Sequence, residues 1–173
     1  GYTEGDVAEI VRMALSAGAH LHALSIVHRD IKPENVLLCT GGRHAELKLA
    51  DFGCAQMLRP GETCAERVGT PGYMAPEQAD RKPITPATDV YNFGATMYWL
   101  LTGQQIPTAR PDATIDDGSS SGYVLGASGG KSAQLPPDPR EFNSRVPEEL
   151  AEIVMRSVQV NQHARYKNMH SVL

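Results

Sequence analysis

From Asp89 to Leu101 the chain reads Asp-Val-Tyr-Asn-Phe-Gly-Ala-Thr-Met-Tyr-Trp-Leu-Leu, apolar around most of a helical circumference. A helix of that kind has to be enclosed on all sides, so the rest of the 173 residues is expected to wrap around it. At 41% hydrophobic and 21% charged residues, the composition can fill one such core and is too balanced for disorder. The run is interrupted by Asn92 and stops at Gly103, well short of the roughly 20 apolar residues a membrane helix needs. One compact domain around a central helix is the expectation.

The segment before that helix has the opposite character. Residues 51–88 contain Gly53, Pro60, Gly61, Gly69, Pro71, Gly72, Pro76, Pro83 and Pro86, which exclude a long regular element. A loop of this length inside a compact domain points to a binding loop, lid or switch. Upstream, Val7, Ile10, Val11, Ala14, Leu15, Leu21 and Leu24 recur near helical spacing behind the capping candidates Thr3 and Asp6. Two short runs follow, 35–39 and 46–50, separated by Thr40-Gly41-Gly42-Arg43-His44, which predicts a small β-hairpin. Residues 104–140 hold a Gly/Ser/Pro-rich stretch that reads as a flexible insertion. Pro147 opens a last amphipathic helix with Leu150, Ile153, Val154 and Val158 on one face.

Charge and cysteine usage narrow the partners. A net charge of −4 gives no basic field for nucleic acid. Cys39, Cys54 and Cys64 are odd in number and form no CxxC pair, which fits a reducing, cytoplasmic setting better than disulfides or zinc. His20, His22, His44, His163 and His170 are scattered and read as surface or core histidines.

Chemistry concentrates in three places: His28-Arg29-Asp30-Ile31-Lys32-Pro33-Glu34-Asn35, Asp51-Phe52-Gly53 just past the hairpin, and Ala75-Pro76-Glu77 at the end of the breaker-rich loop. In this order and spacing they resemble the eukaryotic-type serine/threonine protein kinase family. The stretch Gly69 to Gln78, with Val146-Pro147-Glu148-Glu149-Leu150 and Arg165-Tyr166, is similar to bacterial members of it. The resemblance implies a mainly α fold with a small β-hairpin, a kinase-like C-terminal lobe. The Gly-rich loop, strand lysine and helix glutamate of the N-terminal lobe are not in this sequence. The whole of 1–173 then reads as a partial kinase domain.

The resemblance also assigns roles. Asp30 is expected to orient the substrate hydroxyl, with Lys32 supplying charge at the transferring phosphate and Thr70 contacting both. Asn35 and Asp51 are expected to hold Mg2+, a hard cation that takes oxygen ligands. Lys32, Asn35, Leu37 and Asp51 would face ATP, with Leu37 under adenine or simply in the core. His28 and Phe52 would pack together, Glu77 would pair with Arg165, and Asp89 would hydrogen-bond the catalytic-loop backbone. Arg29 resembles the arginine that meets a loop phosphate, and Thr63 is the one hydroxyl residue between Gly53 and Gly69. The implied function is phosphorylation of protein serine or threonine by a parent protein, in partnership with the missing lobe. The isolated chain would be inactive or nearly so. A truncated, non-catalytic interaction module is the other reading.

Overall fold

The structure, a computed structural model, describes residues 4–39, 46–106 and 135–173. Helix α1 spans Glu4–Ala23 and α3 spans Pro86–Thr102, with the short α2 at Pro76–Ala79 and α4 at Glu148–Ser157. Strand β1 is Ile26–Val27, β2 Val36–Cys39, β3 Glu46–Leu49 and β4 Gln56–Met57.

Helix α3 is the centre that its sequence requires. Thr85 caps its start by accepting from the Ala87 N–H, Pro86 takes the first turn, and Gly103 ends it in the left-handed region at φ 72°. It therefore begins ahead of the expected Asp89, because the Thr85-Pro86 cap starts the first turn there. Every residue from Ala87 to Tyr98 is buried, and each fully buried large apolar side chain contributes about 1.5–3 kcal/mol. Helix α1 packs Ala14 and Leu15 into the same core, with Val11 and Ala19 at its edge. Leu24 departs from the expected helical stripe: α1 ends at Ala23, Ser25 turns the chain at φ 60°, and Leu24 is left 53% exposed. On the other side α4 brings Ala151 and Val154 inward. The close approach of α3 and α4 depends on Gly94, where a Cβ would sit 2.7 Å from the Ser157 Cβ.

The expected hairpin is present as β2–β3, antiparallel, with Val36 opposite Leu49 and Leu38 opposite Leu47. Its connection, residues 40–45, lies outside the described residues, as do Thr3, the core of the Gly/Ser-rich insertion (107–134) and the side chains of residues 4–7. A second antiparallel pair, β1–β4, joins Ile26 to Met57 and Val27 to Gln56. Two-residue strands are too short to leave a periodicity signal, so the second sheet was not expected. The two pairs bracket the loop 28–35 and bring residues 51–57 beside it.

Candidate active site

The loop 28–35 is hung from α3. Asp89, fully buried, accepts from the His28 N–H (2.8 Å) and the His22 ring Nε2 (2.9 Å) on one oxygen, and from the Arg29 N–H (2.8 Å) on the other. A buried carboxylate is tolerable only with such partners. His22 is fixed in turn: its Nδ1 accepts from the Met169 N–H at 3.2 Å, so Nε2 carries the proton given to Asp89. Sequence reading set His22 aside, since nothing local distinguishes it from the other scattered histidines. Lower on α3, Thr96 donates to the Ile31 carbonyl at 3.1 Å.

This scaffold presents Asp30. Its Oδ1 accepts from the Thr70 N–H at 2.8 Å, and its Oδ2 lies 3.0 Å from Lys32 Nζ and 3.3 Å from Asn35 Nδ2. Lys32 also donates to the Thr70 hydroxyl at 2.7 Å. Burial pushes the Asp30 carboxyl up, yet hydrogen bonds from Thr70 and Lys32 and the lysine charge outweigh it and hold it below the usual carboxylate range. Lys32 is shifted up, first by its hydrogen bond to Asp30 and further by the charges of Asp30, Glu34 and Asp51, against a smaller opposing effect of burial. The site is thus an anchored carboxylate with an ammonium and a hydroxyl at its edge.

Asn35 and Asp51 reach the site from the two ends of the hairpin. Asn35 is buried, and its Nδ2 donates to the Asp30 carbonyl at 2.9 Å, which leaves Oδ1 as the atom open to a cation. The Asn35 carbonyl accepts from the Ala50 N–H at 2.8 Å, and this places Asp51, the next residue, at the same end. Asp51 is exposed at φ 57°, a left-handed conformation uncommon for a residue with a Cβ, and its Oδ1 accepts from the Gly53 N–H at 3.1 Å. Among the described residues no group of three His, Cys, Asp or Glu gathers to hold a metal by itself. A carboxylate and a carboxamide at an open edge instead fit magnesium, which keeps waters and phosphate oxygens in its shell.

Other expected residues fall as follows. The His28 ring is fully buried, its Nε2 lies 2.9 Å from the Ala50 carbonyl, and it packs against Phe52 at a centroid distance of 5.1 Å. Leu37 sits on β2 and is 48% exposed, so it is no core leucine in this chain. Glu77 and Arg165 meet far from Asp30 in sequence and close the other end of the segment. Thr63 is exposed, whereas the Arg29 guanidinium, buried, contacts Glu66 and Cys64 at 3.1 Å each and the Cys54 carbonyl. Gln78 was also missed: fully buried, its Nε2 donates to the Arg29 carbonyl (2.7 Å) and the Val68 carbonyl (2.8 Å). Its Oε1 accepts from the Ala75 N–H and from Asn92 Nδ2, both at 2.9 Å.

A family model described as the protein kinase domain matches residues 1–172. The chain belongs to the protein kinase family. A probable myosin light chain kinase of Dictyostelium discoideum is 43% identical over 102 residues, which is 59% of this kinase chain and 32% of that protein. The human calcium/calmodulin-dependent protein kinase type 1B is 42% identical over 102 residues, 59% of this chain and 29% of its own length. The human serine/threonine-protein kinase H1 is 40% identical over 104 residues, 59% and 24% respectively. The kinase chain thus spans about a third or less of these curated relatives, and the relatives are serine/threonine protein kinases.

Proposed function

We propose that the protein containing this chain transfers the terminal phosphoryl group of ATP to serine or threonine hydroxyls of other proteins. The observation that carries the reading is the Asp30 cluster, a carboxylate held by Thr70, Lys32 and Asn35 beside Asp51. Phosphoryl transfer demands little covalent chemistry of a protein and much positioning, so a rigidly held base and a fixed cation are what it needs. Asp30, ionised at neutral pH, accepts the hydrogen bond of the incoming hydroxyl and orients it. Lys32 offers positive charge to the oxygens of the transferring group, and Thr70 keeps Lys32 and Asp30 in register. Asn35 Oδ1 and the Asp51 carboxylate are the atoms that would hold Mg2+, which when bound neutralises charge on the phosphate oxygens.

We further propose that a nucleotide-covering lobe of the same parent protein lies over this face. Leu37, Phe52 and Met57 are each about half exposed and border the catalytic-loop end, through the β2 strand, the His28–Phe52 contact and the β1–β4 pair. Single exposed hydrophobes are ordinary; three around one reactive edge favour a covering element. Leu37 is then the residue placed to meet the adenine ring. A cytoplasmic setting is part of the same reading. Among the described residues no helix is long and apolar enough to cross a membrane.

The test uses the full-length parent protein with magnesium and labelled ATP. Label on serine or threonine of a protein substrate is expected, falling by at least about a hundredfold in Asp30→Asn and in Asp51→Asn. Undiminished labelling in both variants overturns the site assignment. No labelling by the unaltered protein, with a fold that still unfolds cooperatively, would favour a non-catalytic interaction module. The 173-residue chain alone is expected to show no measurable turnover.

A further inference from the structure

We propose that Glu66 is a positioning residue whose carboxylate is the resident counter-charge of Arg29, holding the loop 54–69 on the catalytic loop without any covalent modification of Thr63. The inference rests on the kinase reading above and names how that site is kept assembled.

Arg29 is pinned along its whole length. Its N–H donates to Asp89 Oδ1 and its carbonyl accepts from Gln78 Nε2, so the backbone entering Asp30 is held from both sides at φ 67°. Its side chain, only 6% exposed, sends Nε to the Cys54 carbonyl and Nη1 to both Cys64 Sγ and Glu66 Oε2. A buried guanidinium needs an anion, since dipoles alone do not repay its lost hydration. Among the described residues, the carboxylate within ion-pair distance of it is Glu66.

The loop supplies two of these contacts. Residues 62–68 form no helix or turn. Cys64 and Glu66, two apart, both reach Arg29 Nη1. Thr63 and Ala65 are exposed. A phosphate on Thr63 would meet an arginine already engaged. The loop is further tied down by the Ile84 N–H to the Cys64 carbonyl (2.9 Å) and by Gln78 to the Val68 carbonyl. Glu66 is itself 63% exposed, so solvent screens the pair and its loss is expected to loosen the loop rather than unfold the domain.

The experiment compares the full-length parent protein with Glu66→Gln, Glu66→Asp and Thr63→Ala, each before and after phosphatase treatment. Two readouts are taken: kcat and KM for a protein substrate, and the rate at which trypsin cuts the Arg67–Val68 bond, identified by fragment mass. Arg59 precedes Pro60, so that neighbouring bond resists trypsin. Glu66→Gln is expected to speed cleavage about fivefold and lower kcat by a similar factor with KM little changed, and Glu66→Asp to recover most of both. Thr63→Ala and phosphatase treatment are expected to change neither. Loss of kcat or faster cleavage on removing the Thr63 hydroxyl or its phosphate, or no response to Glu66→Gln in either readout, overturns the proposal. A protein without kinase activity whose Glu66→Gln variant still cuts faster would sink the catalytic reading while supporting Glu66 as the clamp.

Discussion

Arg165 grips the carboxylate of Glu77 through two hydrogen bonds of 2.7 and 2.8 Å, with both side chains all but sealed from solvent. The rest of the guanidinium is satisfied as well, by the carbonyls of Gln159, Ala87 and Val160, and its Cζ lies 4.8 Å from the centroid of the Tyr91 ring. Thr88 adds a hydrogen bond to Glu77 at 2.9 Å. The pair rivets the short helix α2, at the end of the long loop, to the start of α3 and to the C-terminal segment.

Removing one side of a buried pair strands the other charge. Arg165→Ala is therefore expected to destabilise the fold by about 3–5 kcal/mol, and the double variant Glu77→Leu/Arg165→Met by distinctly less. Denaturant unfolding of the parent protein's kinase domain checks both. Equal destabilisation would mean that packing against Tyr91 matters more than the charge.

Asp89 offers two oxygens to three donors, and an amide cannot serve all of them. Asp89→Asn turns one acceptor into an N–H2 group facing a donor, with an expected loss of about 2–3 kcal/mol. His22→Leu removes one donor and leaves the His28 and Arg29 amides in place, so about 1–3 kcal/mol is expected. Amide hydrogen exchange separates the two: the Arg29 amide should lose protection strongly in Asp89→Asn and little in His22→Leu.

The Asp30 carboxyl is held below its ordinary range, with hydrogen bonds from Thr70 and Lys32 and the lysine charge overcoming the upward push of burial. A folded-state value below the unfolded one adds stability that is present above the unfolded carboxylate range and is lost as pH falls through the folded value. Activity of the parent protein should accordingly persist to pH below the usual carboxylate range before its acid limb appears. Lys32→Met should move that limb upward. An unmoved limb would show that the lysine does not set the Asp30 charge.

Gly69 stands at φ 124°, and a Cβ there would lie 2.8 Å from the Arg29 carbonyl oxygen, the atom that Gln78 also engages. Gly69→Ala combines backbone strain with a backbone clash, so about 1–3 kcal/mol of destabilisation is expected. Because Thr70 follows directly and donates its N–H to Asp30, turnover should fall further than stability alone accounts for. Comparing kcat at a temperature where the variant is fully folded makes that distinction.

Much of the site was legible because its signals are local. Asp30, Lys32 and Asn35 lie within one short loop, Asp51 begins a triplet, and each carries a side chain whose chemistry suits phosphate and magnesium. Helix α3 was legible too, since being apolar on every face leaves a single physical option. The hairpin followed from two apolar runs around a glycine pair. The β1–β4 pair was not legible, because strands of two residues carry no periodicity.

The family, the central buried helix and the candidate site side chains can thus be read along the chain. Which distant groups hold them came from the packing: His22 on Asp89 across 67 positions, Glu66 on Arg29 across 37, Gln78 on the Arg29 carbonyl across 49. The physical reason is that a buried polar group must find a partner, and its own identity states the need without naming who meets it. That choice depends on which segments the packing of α3 brings within hydrogen-bond reach.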